Sequence, residues 1–185
     1  MKKILMTLAA AFVAVSMRAQ VYVGGSLGFA SFDDSNKTHT AFKFSPEIGY
    51  NLDEDMSVGI TLSYTQGNTT TAWLLANPNE DEDLKTFTIA PYLRYKFAKM
   101  GPVTVFADGE FAYSHVDNNG AKGNGFGLGI CPGISVDLTD KLSFVSHIGR
   151  LGYTQAKADA EGAKAVSTFG LDLDNALSFG LYYNF

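Results

Sequence analysis

The 185-residue chain lacks several features that define other classes of protein. It has a single cysteine, Cys131, which excludes a disulfide framework. It has no run of 18 apolar residues, whereas a helix needs about 20 to cross a bilayer. Its 14 basic residues are outnumbered by 19 acidic residues, so it has no electrostatic footprint for nucleic acid. Beyond the N-terminal region it also lacks helical periodicity, which argues against a helical fold.

The N-terminal region predicts a secretory signal peptide. Lys2 and Lys3 precede an apolar run over residues 4–15, and Ala19 is the expected cleavage position, with cleavage after Ser16 as the alternative. The run is too short to span a membrane as a helix. We therefore expect a signal peptide over residues 1–19.

The remaining residues, 20–185, have the length of one domain and the pattern of a β-sheet. They contain 11 basic and 19 acidic residues, a net charge near −8. Apolar and polar residues alternate through eight segments, and a period of two is the signature of a strand with one apolar face. The third segment shows the pattern most clearly, with Met56, Val58, Ile60, Leu62 and Tyr64 on one face.

Two segments depart from the simple pattern. In segment seven, over residues 142–153, Arg150 follows Phe144 and Ile148 on the apolar face, and a bulge near Gly149 or Gly152 would restore the register. In the even-numbered segments a proline recurs within an alternating motif, as Pro46, Pro91 and Pro132. Because proline removes a ladder hydrogen bond, we expect these three at bulges or near strand ends.

The connections between segments alternate in length. Short turns are expected at residues 51–55, 98–102 and 139–141, and mostly longer loops at 33–38, 67–84, 116–124 and 154–167. Short turns at one end and longer loops at the other are typical of transmembrane barrels, whose longer loops lie outside the cell. Both ends of the mature chain would then lie in the periplasm.

Alternation alone does not say which face points outward, and a soluble lipocalin-like barrel would point its apolar face inward. Three features favour an apolar face that points outward: the signal peptide, the aromatic residues near strand ends, and a glycine-rich polar face that fits inside a narrow barrel. The aromatic residues are Phe29, Tyr50, Tyr64, Tyr95, Tyr113 and Phe185. Since bilayer hydrocarbon cannot satisfy an open sheet edge, the sheet must close. The prediction is a closed eight-stranded antiparallel up-and-down transmembrane β-barrel.

The last segment carries the family resemblance. Its apolar face runs through Leu181 and Tyr183 to the terminal Phe185, and such a strand resembles the assembly signal of bacterial outer-membrane barrels. This terminal strand and the count of eight strands make residues 20–185 resemble the small barrels of the OmpA transmembrane-domain and OmpX type, which are often called porin family proteins. The resemblance implies an outer-membrane location, lipopolysaccharide as neighbour, the barrel-assembly machinery as a partner in biogenesis, and a monomer.

The polar face carries the charged residues that would line the lumen. They are Lys43, Glu47, Arg94, Lys96, Asp108, Glu110, Asp172 and Asp174, joined by His147. Buried charges must pair or be hydrated, and eight strands leave an interior filled by side chains. One interpretation is a polar plug in which Lys43, Arg94 and Lys96 meet Glu47, Asp108 and Glu110. The other is a narrow, gated path for ions or small solutes. A conduit for hydrophobic molecules would need an apolar lumen.

The sequence favours a protein without catalytic activity, metal or cofactor. Barrels of this class include a lipid A palmitoyltransferase and a lipid A deacylase, and the deacylase uses a His-x-Ser element. None of His39, His115 and His147 begins such an element. Ser114 and His115 are neighbours on a strand, so their side chains should point to opposite faces and cannot act as nucleophile and base.

The loops offer the remaining functional signal. Trp73, Leu74 and Leu75 in the longest loop either contact an extracellular ligand or lipopolysaccharide, or extend the strands above the membrane. The acidic run at residues 80–83 has no EF-hand spacing and is interpreted as a solvated loop. The sequence therefore favours a structural or surface-interaction role, with adhesion or host contact through the outer loops, and a narrow channel as the alternative.

Overall fold

The computed structural model describes residues 20–34, 37–67, 84–118, 120–160, 162–172 and 178–185, without the side chains of residues 29–34, 37–41 and 172. The predicted signal peptide, the loop residues Trp73, Leu74 and Leu75, the acid Asp174 and the side chain of Asp172 lie outside this part of the chain. No helix within the described ranges is long and apolar enough to cross a bilayer.

Ten strand segments within the described ranges form one antiparallel sheet. They are β1 (Val21–Asp34), β2 (Lys37–Asn51), β3 (Met56–Gln66), β4 (Leu84–Met100), β5 (Val103–Asn118), β6 (Ala121–Asp137), β7 (Leu142–His147), β8 (Arg150–Ala158), β9 (Val166–Asp172) and β10 (Ser178–Asn184). Segments β7 and β8 are two parts of the seventh barrel strand, and β9 and β10 belong to the eighth. Pairing of β1 with β10 closes the sheet, which confirms the predicted closed eight-stranded barrel.

The irregularity in the seventh strand is the predicted bulge. Segment β6 pairs Gly133 with His147 but Ile130 with Leu151, so the seventh strand holds one extra residue between these pairs. Gly149 has a φ of 83°, a left-handed conformation that glycine adopts without steric cost. The bulge reverses the alternation after Ile148 and turns Arg150 into the lumen, which removes a charge from the lipid-facing surface.

The expectation for the prolines is right for Pro132 and wrong for the other two. Pro132 lies opposite the bulge, and its carbonyl accepts a hydrogen bond of 2.8 Å from Ile148 N. Pro46 and Pro91 lie inside strands of unbroken register. Pro46 is not paired with β3 but is paired with Gly25 on β1. Pro91 is not paired with β5 but is paired with Ile60 on β3. The barrel therefore tolerates the lost hydrogen bond without a bulge.

Two of the expected longer loops are instead extended hairpins. Pairing continues to Asp34 with Lys37, and to Asn118 with Ala121. The strands therefore project beyond the length needed to span hydrocarbon. At the opposite end, next to the C-terminus, the turns are short, which places that end in the periplasm by the usual barrel pattern.

The two faces of the wall differ as alternation predicts. Large apolar side chains point outward and are exposed, among them Phe44, Leu62, Leu93, Phe111, Leu128, Ile130, Phe179 and Leu181. The buried cluster lies inside and consists of Tyr22, Tyr92, Phe106, Val145 and Tyr182. The interior of this barrel is thus an aromatic and polar core, surrounded by an apolar outer wall.

Candidate functional site

A buried ion pair lies at the centre of the lumen. Arg94 on β4 and Asp108 on β5 are direct partners in the strand register, so their side chains meet inside the barrel. Arg94 Nε and one terminal nitrogen donate to the two Asp108 carboxylate oxygens at 2.7 and 2.8 Å. The two side chains are only 7% and 5% exposed. This bidentate geometry is the strongest arrangement open to an arginine and a carboxylate.

Glu47 on β2 is the second buried acid and is surrounded by donors. The hydroxyls of Tyr92 and Tyr182 donate to its two oxygens, the latter at 2.6 Å, and Arg94 lies 3.5 Å away. Tyr92 in turn contacts the hydroxyl of Tyr22 at 2.5 Å. Because the Tyr92 hydroxyl donates its hydrogen bond to Glu47, Tyr22 is the donor in the hydrogen bond between the two tyrosines. Glu47 thus accepts a hydrogen bond on each of its oxygens.

Four aromatic rings surround the Arg94 guanidinium. Its central carbon is 4.1, 5.1, 5.7 and 5.8 Å from the ring centres of Phe106, Tyr92, Tyr182 and Tyr22. Such cation–π contacts strengthen when water is excluded. Together with the hydrogen bonds they tie β1, β2, β4, β5 and β10 into one layer across the lumen. We call Glu47, Arg94, Asp108 and these four aromatic residues the plug.

The lumen has room for these rings because each faces a glycine on the neighbouring strand. The register pairs are Tyr22 with Gly49, Tyr92 with Gly59, Phe106 with Gly133, and Tyr182 with Gly24. A Cβ at any of these glycines would stand 1.5–2.4 Å from an atom of the partner side chain. These four glycines of the polar face are thus the counterparts of the plug's four aromatic side chains.

His147 extends the plug towards the outer end. Its Nε2 is 2.9 Å from Asp108 Oδ2 and its Nδ1 is 3.4 Å from Ser178 Oγ. The order serine, histidine, aspartate resembles a hydrolytic triad. However, the Ser178 contact is longer than the roughly 2.6–3.2 Å that joins a nucleophile to its base, and Asp108 is already bound to Arg94. The arrangement favours structure over catalysis.

Two further charged lumen residues, Glu110 and Lys96, have partners that the sequence did not indicate. Glu110 pairs with Arg150 at 3.0 Å, because the bulge turns Arg150 inward. Lys96 donates to Asn51 Oδ1 at 2.9 Å, and no carboxylate among the described residues forms an ion pair with Lys96 or Lys43. Arg94 is therefore the cation that meets Glu47 and Asp108, whereas the expected pairing of both lysines with carboxylates does not occur.

Below the plug, a polar cavity opens at the periplasmic end. It has a volume of about 1070 Å³ and reaches from Asp137 and Asp140 at the mouth to Arg94 and Phe106. Lys96 and Ser57 line its wall. The periplasmic end of the lumen is therefore a vestibule that ends at the plug.

The candidate catalytic and metal groups stay apart. Ser114 Oγ contacts Thr88 Oγ1 at 2.8 Å, whereas His115 Nδ1 contacts Asn124 at 2.8 Å on the opposite face of the strand. Across the ranges that the structure describes, no three histidine, cysteine or acidic side chains cluster as metal ligands would. Cys131 is buried and faces the lumen.

Comparison with known proteins identifies the family. The family model described as "Outer membrane protein beta-barrel domain" matches residues 4–185. The chain belongs to this family. It is thus an outer-membrane β-barrel protein, and its apolar outer wall faces lipid. No curated protein gives a significant match.

Two solved structures are similar to this outer-membrane barrel. One is Neisserial surface protein A (NspA), with 20% identity and a TM-score of 0.54 over 89% of this chain and 97% of that chain. The other is a major outer membrane protein from Thermus thermophilus, with 14% identity and a TM-score of 0.44 over 89% of this chain and 99% of the other. The likeness to NspA is one of fold.

The residues of the terminal strand that resemble an assembly signal lie on the lipid-facing wall. Leu181 and Tyr183 are 54% and 40% exposed. Phe185 N donates to Val21 O at 3.0 Å, and its ring lies 5.1 Å from that of Tyr183 in an edge-on contact. The end of the chain is thus fixed to the first strand at the point where the barrel closes.

Proposed function

We propose that this outer-membrane barrel has a structural or surface-interaction role and that its lumen is closed by the plug. In this proposal it is a monomer that contacts lipopolysaccharide and neighbouring lipid. It reaches extracellular ligands through its outer loops, with Trp73, Leu74 and Leu75 as candidate contacts. Leu181, Tyr183 and Phe185 would present the assembly signal to the barrel-assembly machinery. It needs no cofactor and carries out no reaction.

The observation that supports a closed lumen is the layer formed by Arg94, Glu47 and Asp108. All three side chains are at most 7% exposed, and aromatic rings fill the space around them. Opening a path would separate charges that are hydrogen-bonded in a water-poor interior, and such separation is costly.

The periplasmic vestibule supports a second candidate function, a narrow channel. Its cavity reaches the plug, so that a single layer of side chains forms the barrier on this side. A rearrangement of Arg94 towards Lys96 and the vestibule would thin that barrier. The two candidates differ in whether this rearrangement occurs in the native membrane protein.

Single-channel recording distinguishes the two candidates. For the closed barrel, we expect no openings from the mature protein in a planar bilayer once insertion has been verified. Arg94→Ala should produce irregular leakage because it breaks the plug, whereas Lys96→Ala, in the vestibule wall, should stay silent. Reproducible wild-type openings whose conductance changes in Arg94→Ala and Glu110→Gln would instead establish the channel.

Deletion of residues 68–83 tests the surface-interaction role. Gly67 N donates to Leu84 O at 2.7 Å, so a two-residue turn can rejoin β3 and β4 without disturbing the barrel. We expect the variant to fold with the normal gel-mobility shift on boiling and to lose adherence to a panel of immobilised host-surface proteins and glycans. Unchanged adherence by the folded variant would exclude this loop as the contact.

A further inference from the structure

The wall of the periplasmic vestibule carries two lysines from one strand. Lys96 faces the lumen by the alternation of β4, two residues after Arg94. The pairing of β4 with β5 then shifts by one residue between Lys96 and Ala98, so Phe97 is the extra residue of a bulge. A bulge re-aims the side chains that follow it. This one turns Lys99 towards the lumen, where it lines the vestibule together with Lys96.

Direct contacts with acids do not neutralise these lysines within the described part of the chain. The Lys96 ammonium donates to Asn51 Oδ1 at 2.9 Å. Among the described side chains, no carboxylate oxygen lies within 4.0 Å of the Lys96 or Lys99 ammonium. An ammonium group has three donors, and Asn51 uses one of them. Lys96 therefore has donors left for a ligand in the vestibule.

Two acids of the turn between β2 and β3 act on Lys96 from a greater distance. One of them, Asp53, is occupied, because Asp55 N and Met56 N donate to its Oδ1 at 2.8 and 2.7 Å. The other, Asp55, is joined to Lys96 through the backbone, where Lys96 N donates to Asp55 O at 2.7 Å. Asp55 is itself exposed to solvent. The lysine side of the vestibule therefore keeps its positive charge.

Acids form a separate side of the same mouth. Asp137 ends β6 and Asp140 lies in the following turn, and both line the vestibule. Lys99 pairs with Thr104 on β5, which pairs with Ser135 on β6. Ser135 is two residues before Asp137. Two strand spacings of about 4.8 Å, or about 10 Å in all, therefore separate the lysine side from the acid side, with two hydroxyl groups between them.

The balance of charge at the mouth favours a zwitterion over a simple ion. Its acids outnumber its lysines, because Glu54 and Asp55 also line the vestibule. A simple anion is therefore repelled at the entrance, and a simple cation would leave Lys96 without a charged partner. A zwitterion has no net charge, and each of its ends meets the opposite charge on the wall. Two or three residues of extended peptide cover about 7–10 Å, which matches the separation of the two sides.

We propose that the vestibule binds zwitterionic peptides of two or three residues from the periplasm. The terminal carboxylate would lie at Lys96 and Lys99, and the terminal ammonium at Asp137 and Asp140. Both contacts are charge-assisted hydrogen bonds, which are about twice as strong as neutral ones. The cavity of about 1070 Å³ admits a molecule of this size. This inference holds whether or not the outer loops bind a ligand.

Isothermal calorimetry of the refolded full barrel in lipid nanodiscs, which leave both ends accessible, tests the proposal with trialanine as the probe. We expect saturable binding of one peptide per barrel. Trialanine amide lacks the carboxylate and N-acetyltrialanine lacks the ammonium, so each should bind at least tenfold more weakly. These capped peptides test the wild type, so a folding defect cannot imitate their result. Equal affinity of free and capped peptides, or acetate binding as tight as that of trialanine, would overturn the proposal.

Lys96→Met locates the carboxylate end of the peptide. This variant should bind trialanine about 10- to 100-fold more weakly, the usual effect of a hydrogen bond between charged groups, and should no longer prefer it to trialanine amide. Lys141→Gln is the matched control, because that ammonium lies at the same end of the barrel but over the Tyr183 ring on the lipid-facing wall. It should bind normally. A folded Lys96→Met variant that still prefers the free carboxylate would exclude the assigned site.

The double substitution Asp137→Asn and Asp140→Asn locates the ammonium end. An amide oxygen at position 137 can still accept the 2.8 Å hydrogen bond from Ser143 Oγ, so the barrel should fold. This variant should bind trialanine and N-acetyltrialanine equally, while it keeps the preference for trialanine over its amide. Loss of both preferences together would show that the vestibule does not hold the two ends at separate sides.

Discussion

Arg94→Met is expected to lower the free energy of unfolding by about 3–5 kcal/mol, the cost of removing one partner from a buried ion pair. The methionine fills much of the same volume, so the loss comes from charge. Asp108 and Glu47 would remain at about 5% exposure without the guanidinium that contacts both. Urea unfolding of the barrel in lipid vesicles, followed by circular dichroism, measures the change.

Lys96→Met is the matched control for this substitution. It removes a cation from the same strand and the same face, but one whose contact is a hydrogen bond to Asn51 in the vestibule. The expected cost is about 1 kcal/mol. If both variants lowered the free energy of unfolding by the same amount, the Arg94 side chain would contribute no more than an ordinary hydrogen bond. That result would contradict the role that we assign to the buried Arg94–Asp108 pair.

A second comparison separates charge from packing. Because Arg94→Met leaves Asp108 uncompensated, Asp108→Asn added to it should restore part of the stability. Additive losses in the double variant would mean that the arginine acts through its contacts with Phe106 and the tyrosines rather than through the carboxylate.

The faces of the wall could be predicted because they depend only on a period of two. Alternation places Glu47, Arg94 and Asp108 on the inward face of three strands. Because the sheet closes into a narrow barrel, inward side chains of different strands come close to one another. Alternation does not give the relative register of distant strands. It therefore predicted that these charges face inward but not that Arg94, rather than a lysine, would lie between both acids.

Where the period breaks, the sequence was less informative. The pairing of Arg150 with Glu110 depends on a single extra residue at Gly149, and the sequence allowed that bulge at either of two glycines. The sequence predicts a loop over residues 116–124, whereas β5 and β6 stay paired as far as Asn118 and Ala121. Composition indicates a turn in this region, but it does not show how far the paired strands extend.

Gly24→Ala is expected to cost about 3 kcal/mol, although it adds one methyl group. The new Cβ would lie 1.5 Å from Cδ1 of Tyr182, so the ring must leave its position. Moving it removes the 2.6 Å hydrogen bond from Tyr182 to Glu47 and adds the strain of an overfilled core. The same urea titration measures the loss. Gly170→Ala on β9 is the control, because its Cβ would meet no atom within 4 Å and should change stability by less than about 0.5 kcal/mol.

The physical origin of the loss can be isolated with a double-mutant cycle. Tyr182→Ala alone should be destabilising, because it empties part of the plug and leaves Glu47 with one donor fewer. Added to that variant, Gly24→Ala should cost almost nothing, since the obstructing ring is gone. The two losses would then be strongly non-additive, as expected for residues in direct contact. Additive losses would show that Gly24 is needed for the backbone of β1 rather than as space for the Tyr182 ring, and the pairing of rings with glycines would then not explain how the lumen is filled.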